Sequence, residues 1–259
     1  MAQFDNRYAQ AATAARAGVA VDEGLRAYMV SVYNYMAAGV ALTGVVAYML
    51  FSAAVTGDPA SAVARLGNGI MLTEFGRLLF VSPLRWVIML APLAFVFFLS
   101  FRVYQMSVSA AQIAFWLFAA AMGASLSTIF LVFTGASITR VFFITAAAFA
   151  SLSLWGYTNR KDLSGWGTFL FMGLIGIIIA ALVNLFLQSS ALQFAVSVMG
   201  VLVFAGLTAY DTQRIKDGYY AVVGSAEMAA KSAIMGALSL YLDFINMFTS
   251  LLYLFGERE

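Results

Sequence analysis

The chain contains a long apolar run, Phe169–Phe186, which reads FLFMGLIGIIIAALVNLF. It is apolar at every position except Asn184, so no face of it is suited to water. A continuous apolar run of about 20 residues is long enough to cross the hydrocarbon core of a bilayer as an α-helix. A transmembrane β-strand would instead alternate apolar and polar residues over about ten positions. This stretch is therefore predicted to be a membrane-spanning helix.

Similar apolar runs occupy most of the rest of the chain. The chain is 63% hydrophobic and 10% charged, whereas soluble domains are about 45–50% apolar and about 25% charged. We predict an all-α integral membrane protein whose residues 28–259 form one bundle of seven transmembrane helices, preceded by a cytoplasmic N-terminal tail, 1–27. The predicted spans are residues 28–55, 84–101, 108–133, 139–157, 167–187, 192–210 and 234–255.

The inventory of side chains excludes several classes of function. The chain has no cysteine and no histidine, which removes disulfides, thiol nucleophiles, Cys/His zinc sites and histidine bases. Its net charge of +2 comes from 14 basic and 12 acidic residues. This balance, without a basic cluster, does not indicate nucleic-acid binding. Since histidine is the usual switch near neutral pH, any pH response must come from carboxylates.

Lysine and arginine are distributed unevenly between the two predicted sides of the membrane, and cytoplasmic loops normally carry the excess. The distribution favours a cytoplasmic N-terminus, and a short chain with brief tails fits a bacterial inner membrane. With the N-terminus inside, the inner segments hold Arg7, Arg16, Arg26, Arg102, Arg160, Lys161, Arg214, Lys216 and Lys231, and the outer ones hold Arg65, Arg77, Arg85, Arg140 and Arg258.

Two aspartates stand out because of their positions. Asp243 lies inside the apolar run Ile234–Phe255, and Asp211 follows Tyr210 at the end of the sixth predicted span. A charged side chain at mid-bilayer costs roughly 2.5–3.5 kcal/mol on insertion scales, so it normally faces a partner or a water-filled cavity. We therefore predict a functional role for Asp243.

A polar stripe runs along the seventh predicted span. Its members share one helical face because they follow alternating steps of four and three residues. The stripe indicates a central helix that borders a cavity or a polar interface. Its other polar side chains have a purely structural alternative, which is hydrogen bonding to neighbouring helices. The stripe consists of Ser232, Gly236, Ser239, Asp243, Asn246 and Ser250.

The two aspartates can meet, because the sixth span ends and the seventh begins on the cytoplasmic side. Two carboxylates in a medium of low dielectric cannot both ionise cheaply, so they share a proton. Such a pair is a pH switch, and in its ionised form it offers hard oxygen ligands that suit Ca²⁺. Arg102 ends the second span on the same side, where it either pairs with Asp211 and Asp243 or anchors its helix at the interface.

These motifs resemble the last two helices of the Bax inhibitor-1/YccA family, also called transmembrane Bax inhibitor motif proteins. The resemblance covers the chain from about residue 28 onward. It is carried by Tyr210-Asp211, Arg214-Ile215-Lys216, the segment 237–246 (ALSLYLDFIN), the triplet Phe133-Thr134-Gly135 and the run to Tyr157.

The resemblance implies a fold of seven helices with the seventh in the centre. It also implies a pH-sensitive Ca²⁺ leak channel in which Asp211 and Asp243 form the sensor. An arginine on the second helix would latch to the pair, and Arg102 matches that position by context. The segment between Lys216 and Ala237 is longer than in compact bacterial members, so the pH at which such a channel opens is not carried over.

Two other functions are weighed against a leak channel. The first is a binding protein without transport, which modulates a membrane protease through the tail 1–27. The second is an intramembrane aspartyl protease, whose first motif is also Tyr-Asp. Here Leu240-Tyr241-Leu242 precede Asp243 in place of the glycines expected of that class. The chain is therefore predicted to have no enzymatic activity and no resident cofactor, with the bilayer and Ca²⁺ as its partners.

Overall fold

The computed structural model describes the backbone of residues 2–67, 69–159 and 161–258, and the side chains of residues 22–67, 69–159 and 161–258. Within these ranges the chain forms eight α-helices, one two-stranded hairpin and two short 3-10 turns. The elements are α1 (Ala2–Ala54), β1 (Ala64–Arg65), β2 (Met71–Leu72), α2 (Glu74–Phe80), α3 (Leu84–Arg102), a 3-10 turn (Val103–Gln105), α4 (Val108–Leu126), a 3-10 turn (Ser127–Leu131), α5 (Gly135–Thr158), α6 (Ser164–Leu187), α7 (Ser190–Val222) and α8 (Ala226–Phe255).

Seven of these helices are long and apolar enough to cross a membrane, which confirms the predicted bundle. The first span begins at Asp22 within α1, and the others are α3 to α8. The run Phe169–Phe186 lies in α6, whose mean hydropathy of 2.7 is the highest of the seven. The predicted tail, 1–27, falls mostly on residues whose side chains lie outside the described residues, so its role stays a prediction.

The segment 211–233 lies between the last two predicted spans, where hydropathy predicts no helix, but it is helical over most of its length. Helix α7 continues to Val222 and α8 begins at Ala226. The prediction was wrong because it followed hydropathy, and a helix that leaves the apolar zone can continue with polar residues. Local interactions support the extension. Ser225 caps α8 by accepting a hydrogen bond from Met228 N, and Glu227 pairs with Lys231 one turn later at 2.7 Å.

The segment between the first two spans contains a two-stranded hairpin and the short helix α2. Strands β1 and β2 pair antiparallel, with Ala64 opposite Leu72. Thr73 then caps α2 by accepting from Gly76 N. This small substructure packs on the end of α1, since Thr73 N donates to the carbonyl of Ala54.

Helix α8, the seventh span, is at the centre of the bundle, as predicted. It packs against α1, α4, α5 and α7. In its central stretch 56% of residues are buried, against 33% or fewer in the other six spans. The fully buried Tyr241 illustrates this position: its hydroxyl lies 2.6 Å from Thr43 Oγ1 of α1, and its ring contacts Phe118 of α4. A polar group on the inner face of α8 is therefore shielded from both water and lipid.

Candidate carboxylate site between helices seven and eight

Small residues let α7 and α8 approach closely along the polar stripe. A Cβ on Gly200 would clash with Ser250 Oγ, and one on Gly236 would lie 3.0 Å from a methyl group of Ile215. Close approach through glycine and serine is typical of helices that pack in lipid. The stripe on α8 therefore faces α7, and the side chains between these two contacts are held near the partner helix.

Asp211 of α7 and Asp243 of α8 both lie in this contact zone. Their exposed fractions are 8% and 4%, and Arg214 links them, since it pairs with Asp211 and donates to Ser239, which lies one turn before Asp243 on α8. The structure therefore brings the two sequence-predicted aspartates together in a site that is nearly closed to solvent. Their hydrogen bonding differs, however, and this difference determines the chemistry of the pair.

The two carboxylates are not equally compensated. Asp211 Oδ1 lies 3.1 Å from Nη2 of Arg214, one turn further along α7. Asp243 Oδ2 is buried and accepts no hydrogen bond from any residue the structure describes. An ionised oxygen without a partner is costly in a buried site. Asp243 therefore needs a proton or a cation at this oxygen.

Arg214 connects both helices and also reaches solvent. The same Nη2 that pairs with Asp211 donates to Ser239 Oγ of α8 at 3.3 Å. The guanidinium also lies 5.8 Å from the centre of the Tyr210 ring. The Arg214 side chain is 55% exposed. The buried Asp211 carboxylate is therefore paired with a guanidinium that contacts solvent. The spacing Asp211-x-x-Arg214 on a helix could have identified this cation from the sequence.

Arg102, the predicted latch, lies elsewhere. It is exposed at the end of α3, and it forms no ion pair with any carboxylate in the described part of the chain. The cation beside the aspartates is Arg214, supplied by α7 itself. An arginine at the end of a membrane helix is equally suited to the interface, and its sequence context does not distinguish that position from the site.

The other predicted members of the stripe have local partners. Ser239 accepts from Arg214 as described, and Asn246 Nδ2 donates to the Leu242 carbonyl of its own helix at 2.8 Å. Ser250 packs against Gly200. Of the three, Ser239 alone has a hydrogen bond that joins it to the aspartates through another side chain.

A polar network that the sequence analysis did not identify surrounds Asp211 on α7. Thr212 Oγ1 lies 2.9 Å from Ser153 Oγ of α5. The buried Gln213 accepts from Leu163 N at 2.7 Å and donates to the Lys161 carbonyl at 2.9 Å, which ties the α5–α6 loop to α7. These neutral side chains have no charge pattern that marks them in the sequence. They fix the helix segment that carries Asp211 and Arg214.

The pair was also predicted to be a possible Ca²⁺ site. Among side chains in the described ranges, no group of three or more acidic, histidine or cysteine residues is placed to hold a metal ion. Ca²⁺ in resident protein sites takes six to eight oxygen ligands. Asp211 and Asp243 therefore offer two carboxylates toward a cation, and their role as Ca²⁺ ligands stays a prediction.

Seven apolar helices around a buried carboxylate pair define the chain as a polytopic α-helical membrane protein with an ionisable core. A family model described as "Inhibitor of apoptosis-promoting Bax1" matches residues 25–259. The chain therefore belongs to the Bax inhibitor-1 family.

Bacterial relatives match along nearly the whole chain. An uncharacterized protein of Caulobacter vibrioides is 43% identical over 100% of both chains. The uncharacterized protein RP147 of Rickettsia prowazekii is 45% identical over 92% of each chain. The inner membrane protein YbhL of Escherichia coli K12 is 43% identical over 91% of this chain and 94% of its own.

Proposed function

We propose that the chain is a pH-sensitive leak pathway for Ca²⁺ or related cations, gated by Asp211 and Asp243. The observation that carries the proposal is the unequal compensation of the pair: of the two buried carboxylates, Asp211 is paired with a guanidinium, whereas Asp243 Oδ2 has no partner in the described chain. A site of this kind changes its net charge with pH. By analogy with YbhL, we place the chain in a bacterial inner membrane, with the N-terminus in the cytoplasm.

Protonation is expected to hold the helices together. With one proton on the pair, Arg214 balances the remaining negative charge, and the protonated carboxyl becomes a hydrogen-bond donor. The contact between α7 and α8 is then electrically neutral at its centre. This is the closed state, because α8 stays packed in the middle of the bundle.

Loss of that proton leaves two negative charges and one positive charge in a site that excludes water. The carboxylates then repel each other, and the uncompensated oxygen of Asp243 favours hydration. Both effects favour separation of α8 from α7 near Asp243. Because α8 packs on four other helices, a small displacement opens space within the bundle rather than at its edge.

The ionised pair favours passage of a cation. Carboxylate oxygens are hard ligands that Ca²⁺ prefers. Conduction also requires that binding be weak enough for release, and two carboxylates beside an arginine meet this condition better than a complete coordination shell. Ca²⁺ is accordingly proposed to be the transported ion and not a resident cofactor.

The proposal is tested by Ca²⁺ flux into liposomes that contain the purified protein, measured as a function of external pH. Wild type is expected to conduct more as pH rises, and Asp243→Asn is expected to lose most of that dependence because residue 243 no longer titrates. Asp217→Asn is the matched control, since Asp217 is an exposed aspartate of α7 outside the buried pair. Unchanged pH dependence in Asp243→Asn would defeat the gating proposal.

The two alternatives have weaker support. Proteolysis by an aspartate dyad needs both carboxylates free to share a proton and a water molecule, whereas Asp211 is paired with Arg214. Modulation of a membrane protease through the tail 1–27 stays a prediction, because most of that tail lies outside the side chains that the structure describes.

A further inference from the structure

A lateral groove separates α1 from α5 on the outside of the bundle. Its volume is about 490 Å³, which is within the usual range for ligand sites. Buried Met29 and Phe149 lie at its floor, whereas Val30 and Leu154 are large apolar side chains that remain exposed at its edges. Since α1 and α5 are both membrane spans, the groove opens toward the acyl chains of the bilayer.

The groove has one charged end and one apolar end. Arg26 and Tyr157 line it near the beginning of the α1 span and the end of α5, and Tyr33 and Ser153 lie deeper along the same helices. Seven residues separate Arg26 from Tyr33 in the sequence, which corresponds to about 10 Å along a helix. The groove therefore extends from the interface into the hydrocarbon region, as an acyl chain does.

The charged side chain that lines the groove at its interfacial end is a cation, Arg26. Arg26 is exposed and forms no ion pair with a carboxylate in the described ranges, although Asp22 and Glu23 precede it by about one turn. Lys216 of α7 adds a second cation behind Tyr157, where its Nζ donates to the Tyr157 carbonyl at 3.0 Å. An unpaired guanidinium above an apolar groove is complementary to an anionic headgroup with an attached chain.

We propose that this groove binds one anionic phospholipid of the surrounding bilayer. One acyl chain lies between α1 and α5, and the phosphate contacts Arg26. The binding is independent of the leak proposal, but the two sites are adjacent. Tyr33 Oη lies 2.6 Å from Ser153 Oγ across the deep end of the groove, and Ser153 contacts Thr212, the neighbour of Asp211. A bound chain therefore rests against side chains that support the carboxylate helix.

The test measures lipids retained by the purified full chain in native mass spectrometry. Phosphatidylglycerol and phosphatidylcholine with identical acyl chains are the probes. Wild type is expected to retain phosphatidylglycerol preferentially, and Arg26→Gln to reduce that preference about fivefold, the effect of one interfacial cation. Lys161→Gln is the matched control, because it removes an exposed cation at the same end of the bundle, away from the groove.

A second pair of variants tests the chain-binding part. Ala150→Trp fills the groove and is expected to abolish specific retention of phosphatidylglycerol. Ala147→Trp is its control, because Ala147 is an exposed alanine of α5 that does not line the groove. Circular dichroism and thermal unfolding verify that each variant is folded. If Ala150→Trp does not fold, Arg26→Gln still tests the proposal.

Three outcomes would overturn the proposal. Wild-type retention by folded Ala150→Trp would show that the chain binds elsewhere. Equal loss of preference in Lys161→Gln and Arg26→Gln would reveal a diffuse surface charge effect. Displacement of the lipid by excess glycerol phosphate would identify an anion site that does not need the acyl chain. Resistance to glycerol phosphate, with loss in Arg26→Gln and Ala150→Trp, supports a lipid site.

Discussion

Arg214 lies one turn after Asp211 on α7, and its Nη2 approaches Oδ1 of that aspartate to 3.1 Å while also donating to Ser239 of α8. One guanidinium thus neutralises one of two buried carboxylates and joins the two helices that carry them. The partner carboxylate, Asp243, is left to a proton or a cation. This asymmetry explains how a site with two acids and one base can have two states that differ in charge.

Removal of the guanidinium should make ionisation of the pair more difficult. In Arg214→Gln the negative charge on Asp211 loses its partner, so the pair keeps its proton to higher pH. We expect the rise of Ca²⁺ flux with pH to move upward by about one pH unit, at the low end of the effect of a nearby opposite charge because Arg214 is half-exposed. Liposome flux measured between about pH 5 and pH 9 gives the size of the shift.

Lys161→Gln is the control for that measurement, since it removes an exposed cation that does not contact the pair. A flux curve for Arg214→Gln that coincides with wild type, or one displaced to lower pH, would contradict the assignment of Arg214 to the gate. A parallel shift in Lys161→Gln would attribute the effect to general surface charge.

Neutralisation of Asp243 should change stability in a pH-dependent way. In wild type at neutral pH, an ionised Asp243 would leave Oδ2 without a partner, whereas asparagine carries no charge. We expect Asp243→Asn to raise the free energy of unfolding by about 1–3 kcal/mol at neutral pH, and to change it little in acid, where the aspartate is protonated. Thermal unfolding in detergent at both pH values measures the difference.

The matched variant for this experiment is Asp217→Asn, which changes an exposed aspartate and should leave stability unchanged at both pH values. If Asp243→Asn destabilises the protein equally in acid and at neutral pH, the carboxylate has a hydrogen-bond partner that the amide cannot replace, and its proposed titration is wrong.

The buried hydroxyl of Tyr241 should contribute to the centre of the bundle. It lies 2.6 Å from Thr43 Oγ1. Since the Thr43 hydroxyl donates to the Ala119 carbonyl, it accepts from Tyr241, and the contact joins α1, α4 and α8. Tyr241→Phe keeps the ring and removes this hydrogen bond, and we expect a loss of about 1 kcal/mol in the free energy of unfolding. Tyr253→Phe, at a partly exposed tyrosine on the same helix, should have no measurable effect. Equal effects in the two variants would refute the importance of the contact.

The bundle could be predicted from the sequence because lipid imposes a simple rule: a run such as Phe169–Phe186 has no face for water, so it spans the membrane. Asp243 was predictable for the same reason, since a carboxylate inside such a run needs a partner. The end of α7 and the start of α8 could not be predicted in this way, because hydropathy does not identify a helical segment that lies outside the apolar zone. Capping by Ser225 and the Glu227–Lys231 pair are the signals that apply there.

The cation of the site was harder to predict than its aspartates. Arg102 ends the second predicted span and Arg214 follows the end of the sixth, and the sequence shows no tertiary distance that separates them from the aspartates. Only the spacing of Arg214 from Asp211 along one helix favours it. The lateral groove could not be predicted from the sequence, because it depends on the distance between α1 and α5. That distance is set by the packing of both helices on α7 and α8.

The C-terminal end of α8 is held by backbone contacts more than by charge. Thr134 N donates to the Glu257 carbonyl at 3.0 Å, and Glu257 N donates to Ser137 Oγ at 2.9 Å. The side chain of Glu257 also pairs with Arg140 at 3.3 Å, but both side chains are 63% exposed. Exposed ion pairs contribute little, so Glu257→Gln should change the free energy of unfolding by less than about 1 kcal/mol.

Truncation after Gly256 should lower the free energy of unfolding by more than that substitution, by about 1–3 kcal/mol. It removes both hydrogen bonds of the Glu257 backbone and leaves Thr134 N and Ser137 Oγ without these partners. Thermal unfolding of Glu257→Gln, the truncated chain and wild type in the same detergent measures the ranking. A truncated chain as stable as wild type would show that packing along α8 alone fixes its end. A loss in Glu257→Gln as large as in the truncation would assign the anchoring to the Arg140 ion pair.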